Sequence, residues 1–479
     1  MTVGLQTYPE YRDSGPEWLG RIPAHWDCLP HRALFEEIQD QGHVDEPLIS
    51  VTISKGVIRQ SDLLAGSSKK DSSNLDKSKY KLVVPGDIAY NKMRAWQGAV
   101  GVSRYRGIVS PAYIVIRLRN SNNPEYFHFL FRTSAFATEA ERWSYGITSD
   151  QWSLRPEHFK MIYSCVPTMP EQDAIVAFLQ HFDVKVRRFI RNRRRLIQVL
   201  NEQKQTIINR AVTRGLDPNV PLKPSGIEWL GDIPTHWEIA LLRLRYDQCL
   251  GKMVDAKQFT GEHATPYLRN VNVQWDRINT DALPLIDIAP HERERFTVKP
   301  GDLLVCEGGD IGRCAFWDGK ISICGFQKAL HRLRPIDPER DHPRFLYYCM
   351  FNASKLGVFL ADGSENTIAH LTGVKLRAHR FAFPPIDEQR EITNHLDSAL
   401  AETDKATTIA QREIALIREY RTRLIADVVT GKVDVRHLAP PPEAFAAEAE
   451  PEDLDEGLED EMPGEDVIEL AQEETDADD

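Results

Sequence analysis

The residues in this 479-residue chain with the most to offer chemically are hydrogen-bond donors rather than nucleophiles. Asn91, Lys92, Arg94, Trp96 and Gln97 follow an apolar run, and Tyr145, Ser149, Gln151 and Trp152 form a second loop of the same character. Lys and Arg match the acceptors of guanine, Asn and Gln match the mixed edge of adenine, and both readings use the major groove. Lys69, Lys70, Lys77 and Lys79 stand among serines, as a phosphate-contacting loop would. Further along come Lys252, Arg269, Asn270, Asn272, Gln274 and Trp275, then Gln327, Lys328 and His331. Taken singly, each reads first as a solvated loop residue, and Trp96 and Trp152 as plain core aromatics.

Groupings that would catalyse are missing their partners. There is no Asn/Asp-Pro-Pro-aromatic tetrad of the kind that methylates the amino group of a flipped base. The run EGGDIG (307–312) lacks the spacing of a dinucleotide loop, and no GxxxxGK[ST] occurs. Asp302 and Glu307 after Pro300 suggest a nuclease, but Gly308 and Gly309 stand where the Lys of a Glu-x-Lys pair belongs. Cys306, Cys314 and Cys324 fit no zinc spacing and read as buried thiols in strands. The expectation is a chain with no catalytic site, no metal and no cofactor of its own.

What must position these loops shows up when the sequence is compared with itself. SGPEWLGRIPAHW (14–26) and SGIEWLGDIPTHW (225–237) agree at ten of thirteen positions. VPGDIAYNK (84–92) answers KPGDLLVCE (299–307), and PEYFHFLF (124–131) answers PRFLYYCM (343–350). PTMPEQDAI (167–175) answers PPIDEQREI (384–392), and INRAVTRGLD (208–217) answers IADVVTGKVD (425–434). The chain is two copies of one unit. Each opens with Pro-Gly turns, short β-branched or aromatic runs and one short helix, which predicts a mixed α/β globule.

Each copy closes with a long helix. From Pro170 to Thr213 and from Asp387 to Thr430 neither Pro nor Gly intervenes, and Gly215 and Gly431 stand at the C-terminal caps. Leu396, Thr403, Ala410, Ile417 and Leu424 fall seven apart, as do Ile175, Phe182, Phe189 and Leu196. A helix of that length spans ~64 Å and one apolar seam needs a partner, so the two copies should pair as an antiparallel coiled coil. The expected class is therefore α/β (α+β), two similar globules joined by two long antiparallel helices with internal pseudo-twofold duplication. The boundaries are 1–166 for the first globule, 167–215 for the central helix, 216–383 for the second globule, 384–436 for the C-terminal helix and 437–479 for an acidic tail.

Charge follows the same division. The formal net charge is −12, yet residues 441–479 hold 18 Asp and Glu and no Lys or Arg. Without them 59 basic residues face 53 acidic ones, so the folded part is mildly basic. The tail is too acidic and Pro-broken to fold alone; it reads as a disordered solubiliser, or as a competitor of DNA for basic surface. Residues 184–195, VKVRRFIRNRRR, place Arg191, Arg193 and Arg194 in a run of seven cations midway along the first helix. A solvated face and contact with a polyanion or partner are balanced readings of that run. No apolar run is long enough for a membrane helix, no signal sequence is evident and no CxxC occurs, so a cytoplasmic protein with no membrane association is expected.

The paired EWLG-x-IP-x-HW segments resemble the specificity subunits of type I restriction-modification systems. So do NKMRAWQGAVGVSRYRGIVSPAYIV, GITSDQWSLRPEHFK and the PxxxEQ entrances to the long helices. The resemblance covers residues 12–437. It implies that each globule is a target recognition domain reading one half of a bipartite, asymmetric site in double-stranded DNA. It implies helices that set the spacer and dock two methyltransferase (modification) subunits, with restriction (helicase-nuclease) subunits able to join. S-adenosylmethionine, and ATP with magnesium, would then bind the partners and not this chain. With the family in view, the loop residues as groups favour DNA contact. Trp18, Pro23, His25 and Trp26, with Trp229, Pro234, His236 and Trp237, are alike in both copies and so suit a shared structural task better than reading unlike DNA halves. A stand-alone DNA-binding regulator or adaptor is the other function consistent with these features.

Overall fold

The computed structural model describes residues 5–64, 76–146, 152–255, 259–360 and 370–440. Lys69, Lys70, Ser149, Gln151 and the acidic tail from 441 onward lie outside these residues. The chain divides into two compact units, one of Met1–Arg194 with Gln411–Asp479 and one of Arg195–Ala410. Both long helices contribute to both units. No helix among the described residues is long and apolar enough to cross a membrane.

In the first unit an antiparallel sheet runs in the order Phe35–Ile38, Tyr113–Leu118, Ile88–Asn91, Val100–Val102. In the second the order is Tyr246–Leu250, Leu330–Pro335, Leu303–Cys306, Cys314–Phe316. Both are the same threading, in which the last strand in sequence lies beside the first. Asp27–Pro30 pairs with Tyr163–Val166 in one unit, as Glu238–Leu241 pairs with Arg380–Phe383 in the other. The duplication in sequence is thus a duplication of mixed α/β topology.

The Pro-Gly-Asp turns owe their repetition to one clamp. Gly86 and Gly301 take φ values of +93° and +88°, which suit a residue without Cβ. Asp87 accepts the Val84 N–H at 3.0 Å and receives the Arg117 guanidinium at 2.6 and 2.9 Å. Asp302 likewise accepts the Lys299 N–H at 2.6 Å and Arg334 at 2.7 and 2.8 Å. Both carboxylates are buried, so each turn is locked to a central strand by a two-pronged charged hydrogen bond. Asp302 is spent on this clamp.

The expected short helix of the first globule is two helices, Pro124–Phe131 and Ser134–Arg142. Thr133 starts the second by accepting the Phe136 N–H on its side chain at 3.2 Å, which favours a break there. In the second unit one helix, Pro343–Lys355, runs unbroken.

The long helices are Met169–Arg214 and Ile386–Val429, 46 and 44 residues. Within the first unit Ile175 and Leu179 share a buried cluster with Leu424 and Val428. Asp183 holds Arg421 through two 2.8 Å bonds, and Arg193 meets Glu413 at 2.8 Å, so numbers rise on one helix as they fall on the other. Within the second unit Lys204 meets Asp404 at 2.6 Å, and Ile208, Ala211 and Val212 cluster with Ile392, Leu396 and Leu400. The helices pack antiparallel. One part of the expected heptad fails: Leu196, three heptads after Ile175, is 38% exposed. A straight helix drifts ~20° per heptad, so that row leaves the seam and later positions replace it.

The repeated tryptophan segments fasten globule to helices. Pro23, Trp26, Pro234 and Trp237 are buried, whereas Trp18 and Trp229 are half-buried against Phe136 and Phe381. His25 reaches Glu171 at 2.9 Å in the first turn of one long helix, and His236 reaches Glu388 at 2.7 Å in the first turn of the other. Trp237 adds its indole N–H to Glu388 at 3.0 Å. Beside each glutamate, a fully buried glutamine repeats its task. Gln172 accepts from the Asn123 N–H and donates to the Pro167 carbonyl; Gln389 does so with His342 and Pro384.

The far ends of the helices come to the same segments. Gly431, which ends the second helix, lies on Pro23 and Trp26, and Gly215, which ends the first, lies on Trp237 and Glu388. The segments around Gln6 and Asp434 also meet there, with Asp434 N–H donating to the Gln6 carbonyl at 2.8 Å. In the repeat register both fall at Asp217, where the second copy is continuous chain.

Candidate nucleic-acid interface

The first candidate surface grows from strand Ile88–Asn91. The Asn91 carboxamide accepts the Met93 N–H at 2.9 Å and bends the chain out of the sheet. A single helical turn, Ala95–Gln97, follows and ends at Gly98 with φ +94°. Arg94 donates to the Gln97 side chain at 3.2 Å. Trp96 donates its indole N–H to the Met93 carbonyl at 2.9 Å and packs against the core on one side. Its ring lies 5.6 Å from that of Trp152, edge to face. Trp152, from the second stretch singled out in the sequence, is therefore a neighbour of the first loop, and the Leu154 N–H bonds to the Lys92 carbonyl close by. Tyr145 is 56% exposed at the base of the second loop, beside His158. Lys92 makes no side-chain hydrogen bond or ion pair among the described residues.

The second unit uses more of its polar residues on itself. Asn272 is buried, accepting from the Arg269 N–H and donating to the Asn279 carbonyl. Asn270 donates to the Gly308 carbonyl at 2.9 Å and receives Arg313 at 3.1 Å. Trp275 donates to Asp310 at 2.7 Å, and Gln274 donates to the Val271 carbonyl. Lys252 is drawn inward to Glu292 at 2.5 Å and the Asp287 carbonyl at 2.8 Å. The pair holds the Glu292 carboxyl below its ordinary range. His331 is buried, its Nε2 on the Leu371 carbonyl and its Nδ1 on Gln248; burial pushes its pKa down, favouring a neutral ring. Arg269 and Lys328 are exposed and Gln327 is half-buried. The structure therefore gathers 269–275 and 307–313 into one cross-linked surface, with Arg269 and Lys328 as its outward cations.

Topology identifies a counterpart that the sequence reading set aside. The loop after Leu303–Cys306, starting at Glu307, follows the same strand in the same sheet position as the loop after Ile88–Asn91. The signal was present in the alignment of VPGDIAYNK with KPGDLLVCE, which sets Lys92 opposite Glu307. On the first long helix Arg191 is half-buried, Arg194 is exposed and Arg193 lies over the Phe189 ring while paired with Glu413.

Reactive groups are held inert around these surfaces. Burial pushes the Cys306 thiol up to about 11 and that of Cys324 up to about 12, and raises Cys314 further. Cys306 and Cys314 lie in strands and Cys324 just before one; neutral buried thiols are neither nucleophiles nor metal ligands at neutral pH. Among the described residues no cluster of His, Cys, Asp and Glu has the arrangement to hold a metal ion.

Comparison with known proteins agrees with this architecture. Residues 251–414 match the family model of the Type I restriction modification DNA specificity domain. The specificity subunit of the type I restriction enzyme EcoBI from Escherichia coli is 26% identical over 142 residues. That match spans 29% of this chain and 28% of the relative, so under a third of its length is shared in sequence. A chain in a solved structure described as the structural basis underlying complex assembly and conformational transition of the type I R-M system shares the fold. Its TM-score is 0.62 at 16% identity, over 85% of this chain and 98% of that one. The HsdS subunit from Thermoanaerobacter tengcongensis gives a TM-score of 0.46 at 16% identity, over 86% of this chain and 98% of its own. The chain is thus similar to type I specificity subunits in sequence over residues 251–414 and, at 16% identity, in fold over 85% of its length.

Proposed function

We propose that this chain is the DNA sequence-specificity subunit of a type I restriction-modification complex. Each globule reads one half of a bipartite, asymmetric site in double-stranded DNA. The long helices set the distance between the halves and dock two methyltransferase subunits, to which two restriction subunits can add. The chain itself is non-catalytic and cytoplasmic; S-adenosylmethionine, and ATP with magnesium, serve the partners. Arg191, Arg193 and Arg194 face the unread DNA spacer or a partner.

One observation carries the reading. The two units reproduce their scaffold bond for bond, at Asp87 and Asp302, at Gln172 and Gln389, and at Glu171 and Glu388, while the loops on that scaffold differ in residue type. A conserved frame bearing divergent polar loops is what recognition of two unlike half-sites requires, because phosphate contacts only position whereas base edges specify. Direct tests are purification of the tagged chain from its host and mapping of methylated adenines in the genome with and without the gene. Recovery of two methyltransferase copies per chain, and loss of methylation at one bipartite sequence, are expected. Sequence-specific binding without any methyltransferase would favour the regulator instead.

A further inference from the structure

From the backbone geometry we infer that Lys92 and Glu307 are a matched pair of base-reading residues. Each occupies the same place in its unit, with opposite charge, so that the two half-sites carry opposite base-pair orientations there. The inference rests on the DNA-reading function proposed above and names two residues that carry it.

The match is in the backbone. Lys92 donates its N–H to the Ala112 carbonyl, and its own carbonyl accepts the Leu154 N–H at 2.8 Å. Glu307 donates to the Ala329 carbonyl, and its own carbonyl accepts the Leu371 N–H at 2.8 Å. Ala112 with Ala329 and Leu154 with Leu371 keep one register of the repeat, and both leucines are buried. Two backbone bonds and a buried neighbour thus fix the Cα–Cβ direction alike in the two units. Both side chains are half-buried. Neither makes a side-chain hydrogen bond or ion pair among the described residues, although their units use most neighbouring polar groups internally. Two histidines lie near Glu307: His331 is buried with both ring nitrogens bonded, and His370 lies against the adjacent Gly308.

A charge without a partner among the described residues, held where an interior strand of the sheet ends, is poorly explained as packing. In the major groove an ammonium suits the two acceptors of guanine, and a carboxylate suits the N4 amino donor of cytosine. Lys92 therefore selects G and Glu307 selects C on the strand it faces.

The test compares the wild-type complex, as purified from the host, with Lys92→Glu, Glu307→Lys and Glu307→Gln complexes. Each is used to select from duplexes randomised at both half-sites. Thermal melting confirms that the variants remain folded. Glu307→Lys should change the preference at one base pair of the second half-site from C to G, and Glu307→Gln should relax it about tenfold, with the first half-site unchanged. Lys92→Glu should do the reverse in the first half-site. A wild-type consensus retained by all three variants, or a loss of affinity spread evenly over all sequences, overturns the pair while leaving the DNA-reading function intact. A wild-type complex that enriches no sequence overturns that function and this inference with it.

Discussion

Replacing Gly431 by Ala separates the two fastenings at the ends of the long helices. Gly431 and Gly215 are counterparts, with φ of +77° and +73°, so an alanine meets the same backbone penalty at either site, about 1–2 kcal/mol. The space around them differs. A Cβ on Gly431 would lie 2.8 Å from Pro23 Cγ, closer still to Pro23 Cδ, and 3.0 Å from Trp26 Cζ3. These are ring atoms of buried residues, and pushing them aside adds about 1–3 kcal/mol. A Cβ on Gly215 would lie 3.2 Å from Glu388 Oε1, which has to give by only a few tenths of an ångström while it keeps the Trp237 indole N–H, and 3.4 Å from Trp237 Cζ2, an ordinary contact. Gly431→Ala should therefore cost about 2–5 kcal/mol and Gly215→Ala about 1–2. Two compact units need not melt as one, so the assay is peptide-resolved hydrogen exchange in increasing urea. Peptides over residues 8–30 should lose protection in Gly431→Ala, and those over 222–241, to a lesser degree, in Gly215→Ala. Equal losses in both variants, or under 1 kcal/mol for Gly431→Ala, would refute the account of how the tryptophan segments hold the helix ends.

Acid should weaken the first unit through His31. This ring is fully buried among Phe35, Phe131, Phe136 and Phe159 with one bond to Ser164, and burial pushes its pKa down from 6.5 to about 3. The unfolded chain takes up that proton below pH 6.5 and the folded chain does not. Its contribution, up to about 5 kcal/mol, is thus complete above pH 6.5 and is lost as pH falls towards 3. In the second unit the place is held by Leu242, whose N–H bonds to His379 as that of His31 bonds to Ile162. His31→Leu should flatten the stability profile of the first unit between pH 6.5 and 4 in denaturant melts, and an unaltered slope would count against the burial argument. Neutralising Arg191, Arg193 and Arg194 should weaken binding to all DNA sequences about equally and lower the slope of log affinity against log salt by up to ~3. An unchanged slope removes a phosphate role for them and leaves contact with a partner subunit.

Sequence alone determined what depends on near neighbours and on repetition. The Pro-Gly-Asp turns, the caps at Gly215 and Gly431, the Pro-free helical runs and the order of the two copies follow from local backbone preference and from spacing. The loop of Asn91–Gln97 was legible because polar donors follow an apolar run, and its nearness to Trp152 followed only once the chain had folded. Tertiary structure decided which polar groups have anything left to offer. Asn272, His331 and Lys252 resemble Lys92 and Arg269 as letters, yet the fold buries the first two and engages Lys252 with Glu292, since buried or enclosed polar groups must find partners. It also decided that Leu196 leaves the seam, through helical drift over three turns of the heptad, and that Glu307, dismissed as half of a nuclease motif, stands where Lys92 stands. Partner choice between residues far apart in sequence is set by packing of the whole unit, and no local pattern encodes it.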